Sequence, residues 1–310
     1  MRFGLGFFSG QVPVGSGRSF ADEYADTIRL CELAEEVGFD SVWVTEHHGA
    51  ADGYLPSLTV MLAAIAARTQ RVTLAMGVAL APFQHPLRFA EDCAVLDQLS
   101  NGRLQVGLAV GWREEEFRSF GIPTRERVRR TVELAEICRL AWTEERFSYS
   151  GRHYSYDRVA VTPKPAHDLP IVMGGFVEAA LERAGRIADG FIASRGTLDA
   201  FRQRVAVFDA AARAARRDPR RALLAMNQYA WVSSDGSFPA EVQATIWNAQ
   251  GTYAGWAETD TPDRRFQLPP INVDLVEAVA AHGTPEQLTQ RLRPWADAFR
   301  DRDFEIVVRL

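Results

Sequence analysis

The run FDSVWVTEHH, residues 39–48, decides the fold. A short stretch suited to a buried strand leads straight into Glu46, His47 and His48, and only then does Gly49 allow a turn. A strand that ends on a carboxylate and two imidazoles ends where water or a ligand meets the protein, since imidazole exchanges protons near neutral pH. Upstream, FADEYADTIRLCELAEEVG (20–38) carries apolar residues at helical spacing and stops at Gly38, a natural residue just past a helix. Downstream, SLTVMLAAIAART (57–69) predicts another helix with Ser57 as its N-cap, and RVTLAMGVAL (71–80) a further strand.

The alternation extends in both directions. Strands are predicted at 2–8, 39–46, 71–80, 103–111, 169–175, 189–194, 222–234 and 304–310. Helices are predicted between them, at 20–38, 57–69, 86–102, 125–142, 177–187, 198–217 and 284–301. Pro86 suits a first helical position, and Thr284, Pro285 and Gln287 form the signature of a capping box. Each strand–helix unit takes roughly 30 residues, the repeat of parallel strands joined by helical crossovers. The expected architecture is α/β: a single (β/α)8 TIM barrel over residues 1–310, with insertions after strands 4 and 7 at about 144–168 and 234–283. In the first insertion, alternating aromatics around Ser-Gly suggest a hairpin. An open doubly wound sheet is the rival, but GLGFFSG (4–10) does not supply the GxGxxG turn that such a sheet carries. The last strand is followed by no further helix in the sequence, so one face of the barrel is expected to be covered by a second copy or by the late insertion.

Composition narrows the function. The 310 residues are 47% hydrophobic and 24% charged, with a net charge of −5, which offers no nucleic-acid surface. The basic runs RERVRR (125–130) and RRDPRR (216–221) read as solvated helix ends. No apolar run is long enough to cross a bilayer, and Gly4 and Gly6 break the N-terminal apolar stretch, so the expectation is a cytoplasmic protein without a membrane partner. The three cysteines, Cys31, Cys93 and Cys138, lie apart on predicted helices and read as core residues.

In a parallel barrel, chemistry gathers at the carboxyl ends of the strands. Glu46, His47 and His48 lie at one such end, Gly77 and Val78 at the next, LAVGW (108–112) at a third, and Gly174-Gly175 at a fourth. Neighbouring residues on a strand point to opposite faces, so His47 and His48 do not share one ion, and no metal is expected. His48 reads as structural and His47 as functional. Gly174-Gly175 before a helix is either an anion-binding turn or an ordinary tight turn. Gly77 inside a strand marks either a bulge or a close approach to the backbone. A metal-dependent barrel hydrolase remains the rival from another class.

The sequence resembles the bacterial luciferase-like flavin monooxygenases, most closely over residues 1–195. The stretches that carry the likeness are AEEVGFDSVWVTEHH (34–48), HPLRFAEDCAVLDQLSNGRLQVGLAVGW (85–112), and TEERFSYSGRHY, VTPKP and LPIVMGG between 143 and 175. The resemblance implies an enzyme that binds reduced FMN in the barrel mouth, supplied by a separate flavin reductase. It would react that flavin with O2 through a C4a-(hydro)peroxyflavin to oxidise a small organic substrate. The alternatives within the fold are an F420-dependent hydride-transfer oxidoreductase and a non-catalytic flavin-binding protein. It also implies a homodimer.

Residue by residue, the likeness makes Glu46 and His47 the acidic residue and catalytic histidine, and His85 a second histidine at the mouth. Gly77-Val78 match a pair that often forms a cis peptide under the flavin. Ala109, Val110 and Gly111 lie beside the cofactor, Gly174, Gly175 and Phe176 form the phosphate turn, and Arg127 reaches the phosphate. Two departures stand out. The family often has Arg where this chain has Val110, so Arg127 and the helix N-terminus must do more. Luciferase itself has a cysteine where Ala109 stands, so light emission is not implied. The F420 branch often has Asp-His in place of Glu46-His47-His48, which favours FMN. Trp247, Tyr253 and Trp256 in the late insertion are expected either to line a substrate pocket or to form a small separate core.

Overall fold

The computed structural model describes residues 1–194, 196–248, 272, 276 and 280–309. Eight parallel strands form a closed ring. In chain order they are β1 (Arg2–Phe8), β2 (Ser41–Val44), β3 (Thr73–Met76), β5 (Leu104–Ala109), β8 (Ile171–Gly174), β9 (Gly190–Ser194), β10 (Leu223–Val232) and β12 (Asp303–Arg309). Each pairs with its neighbours in sequence order, β12 lies between β10 and β1 to shut the barrel, and β11 (Ala280–Gly283) pairs with the end of β10 outside the ring. This is the predicted (β/α)8 architecture.

Helices cover the outside: α1 (Phe20–Val37), α2 (Leu58–Ala66), α3 (Pro86–Leu99), α5 (Arg127–Thr143), α6 (Glu178–Ile187), α7 (Leu198–Ala214) and α8 (Pro285–Ala298). Their ends follow local chemistry. Ser19 accepts from the Asp22 N–H to start α1, and Gly38 closes it at φ 95°. Thr284 and Gln287 exchange both hydrogen bonds of a capping box at α8. Ser57 occupies the N-cap of α2, but its side chain makes no capping bond.

Two apolar layers hold the ring. One lies between helices and strands and includes Leu62, Ile65, Leu134, Phe191 and Phe304. The other plugs the barrel with Phe7, Trp43, Ala75, Val172, Ile192, Leu223, Ala225 and Val307, and the Phe7 and Trp43 rings stack at 6.0 Å between centroids. Fully burying side chains of this size stabilises the fold by about 1.5–3 kcal/mol each. The plug matters for function: it floors the barrel, so any cavity lies above it at the carboxyl ends of the strands.

Two details differ from the sequence reading, and a third, the expected hairpin, is present. The stretch 71–80 is not one strand. It breaks at Gly77–Val78, where the peptide is cis, and resumes as a short strand β4 (Ala79–Leu80) paired with β5. Gly77 is required there because a Cβ would meet Trp43 at 2.9 Å and Phe7 at 3.1 Å. The charged run after β5 forms a short helix, α4 (Glu114–Ser119), whose third glutamate, Glu116, turns inward and is buried. The segment between α5 and β8 holds an antiparallel hairpin, β6 (Phe147–Ser150) and β7 (Ser155–Val159). Its turn is held by buried Glu133, which accepts the N–H groups of Arg152, His153 and Tyr154.

Between α1 and α8, over β12 and β1, runs an apolar furrow of about 810 Å³ lined by Phe3, Leu30, Leu33, Leu288 and Leu292. Most of the late segment, with Tyr253 and Trp256, lies outside the described residues. Also among the described residues, no helix is long and apolar enough to cross a membrane.

Candidate active site

A cavity of about 510 Å³ opens at the carboxyl ends of the strands, within the usual size of small-molecule sites. It draws a residue from nearly every barrel strand. Phe7 comes from β1, Thr45, Glu46 and His47 from the end of β2, Gly77 and Val78 from β3, and Ala109 to Trp112 from β5 and its end. Gly174 and Gly175 follow β8, Ser194 ends β9, Asn227 and Tyr229 lie on β10 and Arg309 ends β12. Arg127, Phe176 and Arg183 complete the rim. His47 and Gly174 therefore face one space, from strands on different sides of the ring.

The histidine side is built from two crossed imidazole–carboxylate pairs. His47 Nδ1 lies 2.9 Å from Glu116 Oε1, and the same oxygen accepts the His48 backbone N–H at 2.8 Å. His48 Nε2 lies 2.8 Å from Glu46 Oε1. The two rings thus turn to different carboxylates, and His48 takes the structural place expected of it. Glu46 does more than hold His48. Its Oε2 accepts the Leu80 N–H at 2.8 Å, and its Oε1 accepts from Gln84 Nε2 at 3.1 Å. Glu46 fixes the chain that leaves the cis peptide, and it also lines the cavity. His47 Nδ1 is thus engaged by Glu116 while the residue lines the cavity. The His47 ring is wedged edge-on against Tyr54, at 4.7 Å between centroids, which further fixes its plane.

The opposite side is an anion cradle. Gly174 and Gly175 lead into α6, whose N-terminal turn at Phe176 and Val177 brings the positive end of the helix to the cavity, while the Gly175 N–H is spent on the Ile192 carbonyl at 3.2 Å. Gly175 leaves room that a side chain would fill, since a Cβ there would meet Ala180 Cβ at 2.7 Å. Arg127 reaches in from α5, with Nη1 3.4 Å from the Gly111 carbonyl. Arg183, from the second turn of α6, stands beside it with its Nε buried and without a hydrogen bond among the described residues. Burial, with smaller contributions from the Arg186 and Arg127 charges, lowers the Arg183 guanidinium below its ordinary value. Neither guanidinium has an ion pair among the described residues, so a dianion placed between them would relieve their repulsion. Arg183 supplies the charge that Val110 does not.

His85 is placed elsewhere. It is exposed at the N-cap of α3, faces Tyr154 at 6.4 Å between ring centroids, and does not line the cavity. Phe176 lies on the rim but is 61% exposed, with the Arg204 guanidinium over its ring. Sequence reasoning missed Glu116, Arg183 and Asn227. No three His, Cys, Asp or Glu side chains converge as a metal site among the described residues.

The fold and the site define the class: a (β/α)8 barrel whose mouth joins a fixed histidine to a pair of arginines, over a cis Gly77–Val78 peptide. The profile of the luciferase-like monooxygenases matches residues 1–302, and the chain belongs to that family.

Its relatives divide by cofactor. The chain is 34% identical over 196 residues to an F420-dependent glucose-6-phosphate dehydrogenase of Nakamurella multipartita, covering 59% of this chain and 57% of that protein. It is 29% identical over 184 residues to an FMNH2-dependent dimethylsulfone monooxygenase of Pseudomonas fluorescens, covering 57% and 50%. The chain spans about half the length of the curated relatives it matches. Among solved structures, the monooxygenase RslO1 from Streptomyces bottropensis superposes with a TM-score of 0.79 at 27% identity, covering 100% of this chain and 92% of that one.

Proposed function

We propose that the protein is a monooxygenase that binds reduced FMN in the barrel mouth, receives it from a separate flavin reductase, and oxidises a small organic substrate with O2. The observation that carries this reading is the placement of His47 and the Gly174–Gly175 turn, with Arg127 and Arg183, around one cavity. The residues fit the cofactor. The arginine pair and the helix N-terminus suit its phosphate, and Val78, Ala109 and Gly174 offer a flat apolar wall for its ring. When bound, reduced flavin supplies two electrons, so that one oxygen atom of O2 enters the product and the other leaves as water.

The chain's own residues do the rest. Glu116 holds the His47 ring so that Nε2 serves as proton donor or acceptor at the reacting centre. Glu46 holds the Leu80 turn and with it the wall under the ring. Phe7, Leu80 and Ile192 keep the depth of the cavity apolar, which limits water at the reaction. The reductase partner is argued from the chain's lack of a GxGxxG nicotinamide turn, and from a relative in Acinetobacter baylyi that is the oxygenase component of a trigonelline monooxygenase.

The second reading, F420-dependent hydride transfer, is favoured by the dehydrogenase of Nakamurella multipartita at 34% identity. The two readings separate in anaerobic titrations with FMN, reduced FMN and F420. Tight binding of reduced FMN followed by O2-dependent product supports the first. Binding of F420 alone, with O2-independent turnover, replaces it with the second.

A further inference from the structure

We infer that Asn227 recognises the pyrimidinedione edge of the bound ring, the edge of alternating carbonyls and imide N–H that flavin and deazaflavin cofactors share. The inference rests on the flavin-type reading of the cavity given above. It does not depend on which of the two cofactors is used.

The position follows from strand alternation. Along β10, Leu223 and Ala225 point into the barrel and belong to its apolar plug. Two residues on, the same side carries Asn227 and then Tyr229, which line the mouth. Asn227 is thus the first polar side chain of β10 above the floor. Its register partner on β9 is Ser194, which also lines the cavity.

The energetics point to a missing partner. Asn227 is only 5% exposed, and its Oδ1 accepts no hydrogen bond among the described residues. A buried amide oxygen left without a donor is costly, and native proteins rarely retain one without a reason. Its cavity neighbours are apolar Ile192 on one hand and Ser194 on the other, and among the described residues neither donates to it. A ligand does.

The chemistry of that ligand follows from the amide. A primary amide offers an acceptor and two donors side by side. It complements a group with an N–H next to a carbonyl, and the unmet oxygen calls for that N–H, which a phosphate or carboxylate cannot give. The anionic end of the ligand already has its own cradle at Gly174, Gly175, Arg127 and Arg183. What remains is a ligand with a flat apolar body, an anionic tail and one hydrogen-bonding edge. The body lies on Val78 and Ala109, and the edge meets Asn227.

The test is anaerobic binding of FMN, riboflavin and N3-methylriboflavin to the wild-type protein and to Asn227→Leu, followed by flavin absorbance. Leucine keeps the volume and removes the hydrogen bonds. The expected result is a loss of about tenfold in affinity for both FMN and riboflavin in the variant. Wild type should disfavour the N3-methylated ring by a similar factor, and Asn227→Leu should not distinguish it from riboflavin. The methylated ligand tests the wild-type protein directly, so the result does not hang on the variant's folding. Equal penalties for N3-methylation in both proteins, or unchanged flavin affinity in Asn227→Leu, overturn the inference alone. A raised substrate KM with intact flavin affinity also overturns it, by assigning the amide to the substrate. Wild-type protein that binds neither FMN nor F420 overturns both the inference and the reading beneath it.

Discussion

Glu116 Oε1 lies 2.9 Å from His47 Nδ1 and also accepts the His48 backbone N–H at 2.8 Å, although the two side chains are 69 residues apart. One carboxylate oxygen therefore fixes both the ring and the peptide that carries it. Replacing Glu116 with Leu leaves a buried imidazole nitrogen and a backbone donor unmet, at a cost of about 1–3 kcal/mol each. Gln keeps an acceptor oxygen in the same place. Glu116→Leu should lower kcat at least tenfold with little change in the affinity for reduced flavin, and Glu116→Gln should restore much of the loss. Steady-state kinetics and flavin titration measure the two effects separately. Wild-type kcat in Glu116→Leu removes the positioning role.

The paired arginines lead to a prediction about the tail of the cofactor. Arg127 from α5 and Arg183 from α6 line the cavity beside the Gly174–Gly175 turn, and burial lowers the Arg183 guanidinium below its ordinary value. Arg183→Met and Arg127→Met should each weaken FMN by about tenfold or more, as expected for losing a charge-assisted contact. Riboflavin, which lacks the phosphate, should bind each variant as it binds wild type. Equal losses for FMN and riboflavin would show that the arginines shape the pocket rather than hold the phosphate.

Glu46 tests the wall rather than the proton. Its two oxygens accept from Leu80 N–H and Gln84 and engage His48. Gln at this position has one acceptor oxygen and presents an amide N–H where a second acceptor is needed. Glu46→Gln should lower the unfolding free energy by about 1–3 kcal/mol, read by chemical denaturation, and weaken FMN and riboflavin alike. A variant as stable as wild type would show that the Leu80 turn holds itself.

The cysteines offer a check on the interior. Cys31, Cys93 and Cys138 are all buried. Burial, with a small contribution from Glu32, pushes the Cys31 thiol up to about 12, and burial likewise raises the other two. Thiolate is the reactive form, so a thiol reagent at mildly alkaline pH should find no reactive group in the native protein and all three after denaturation. A thiol that titrates in the native state would show that one of these helices opens.

The fold was legible because a parallel barrel writes its pattern in one dimension: buried strands such as LPIVMGG alternate with amphipathic helices such as VEAALERAGRI, and tight glycine turns punctuate them. The strand ends gave His47 and Gly174 for the same reason. Glu116 was hidden because REEEF (113–117) reads as a solvated charged turn. Only the packing of α4 against the end of β2 turns its third glutamate inward. Arg183 was hidden by the same ambiguity, a cation on a helix whose surface face is not visible in the sequence. Asn227 did leave a trace, an amide closing the apolar run ALLAM, and inward alternation from Leu223 would have told it from Gln228 beside it. His85 shows the opposite case: the family likeness put it at the mouth, while the turn Ala81–Phe83 and the start of α3 carry it to the surface.

A last prediction concerns the bottom of the barrel, away from the chemistry. Glu305 on β12 is fully buried in the lumen, hydrogen-bonded to Ser41 Oγ and 3.0 Å from Trp43 Nε1, with Arg2 at 3.5 Å and Asp303 nearby. Burial raises its carboxyl above the ordinary range, and the partial relief from Arg2, Ser41 and Trp43 does not cancel it. In the unfolded chain the group ionises near about 4.3. As pH rises from that value to the higher folded one, the unfolded state sheds its proton while the folded state keeps it. Folding stability therefore falls with pH across this window. Below it, the contribution is intact; above it, the loss is complete. Glu305→Gln keeps the shape and cannot ionise, so the variant should gain on wild type as pH rises and match it most closely at the acid end. Urea unfolding of both proteins from about pH 4 to about pH 8 reads the difference directly. A gap between the two proteins that stays constant with pH would show that Glu305 has the same proton affinity folded and unfolded.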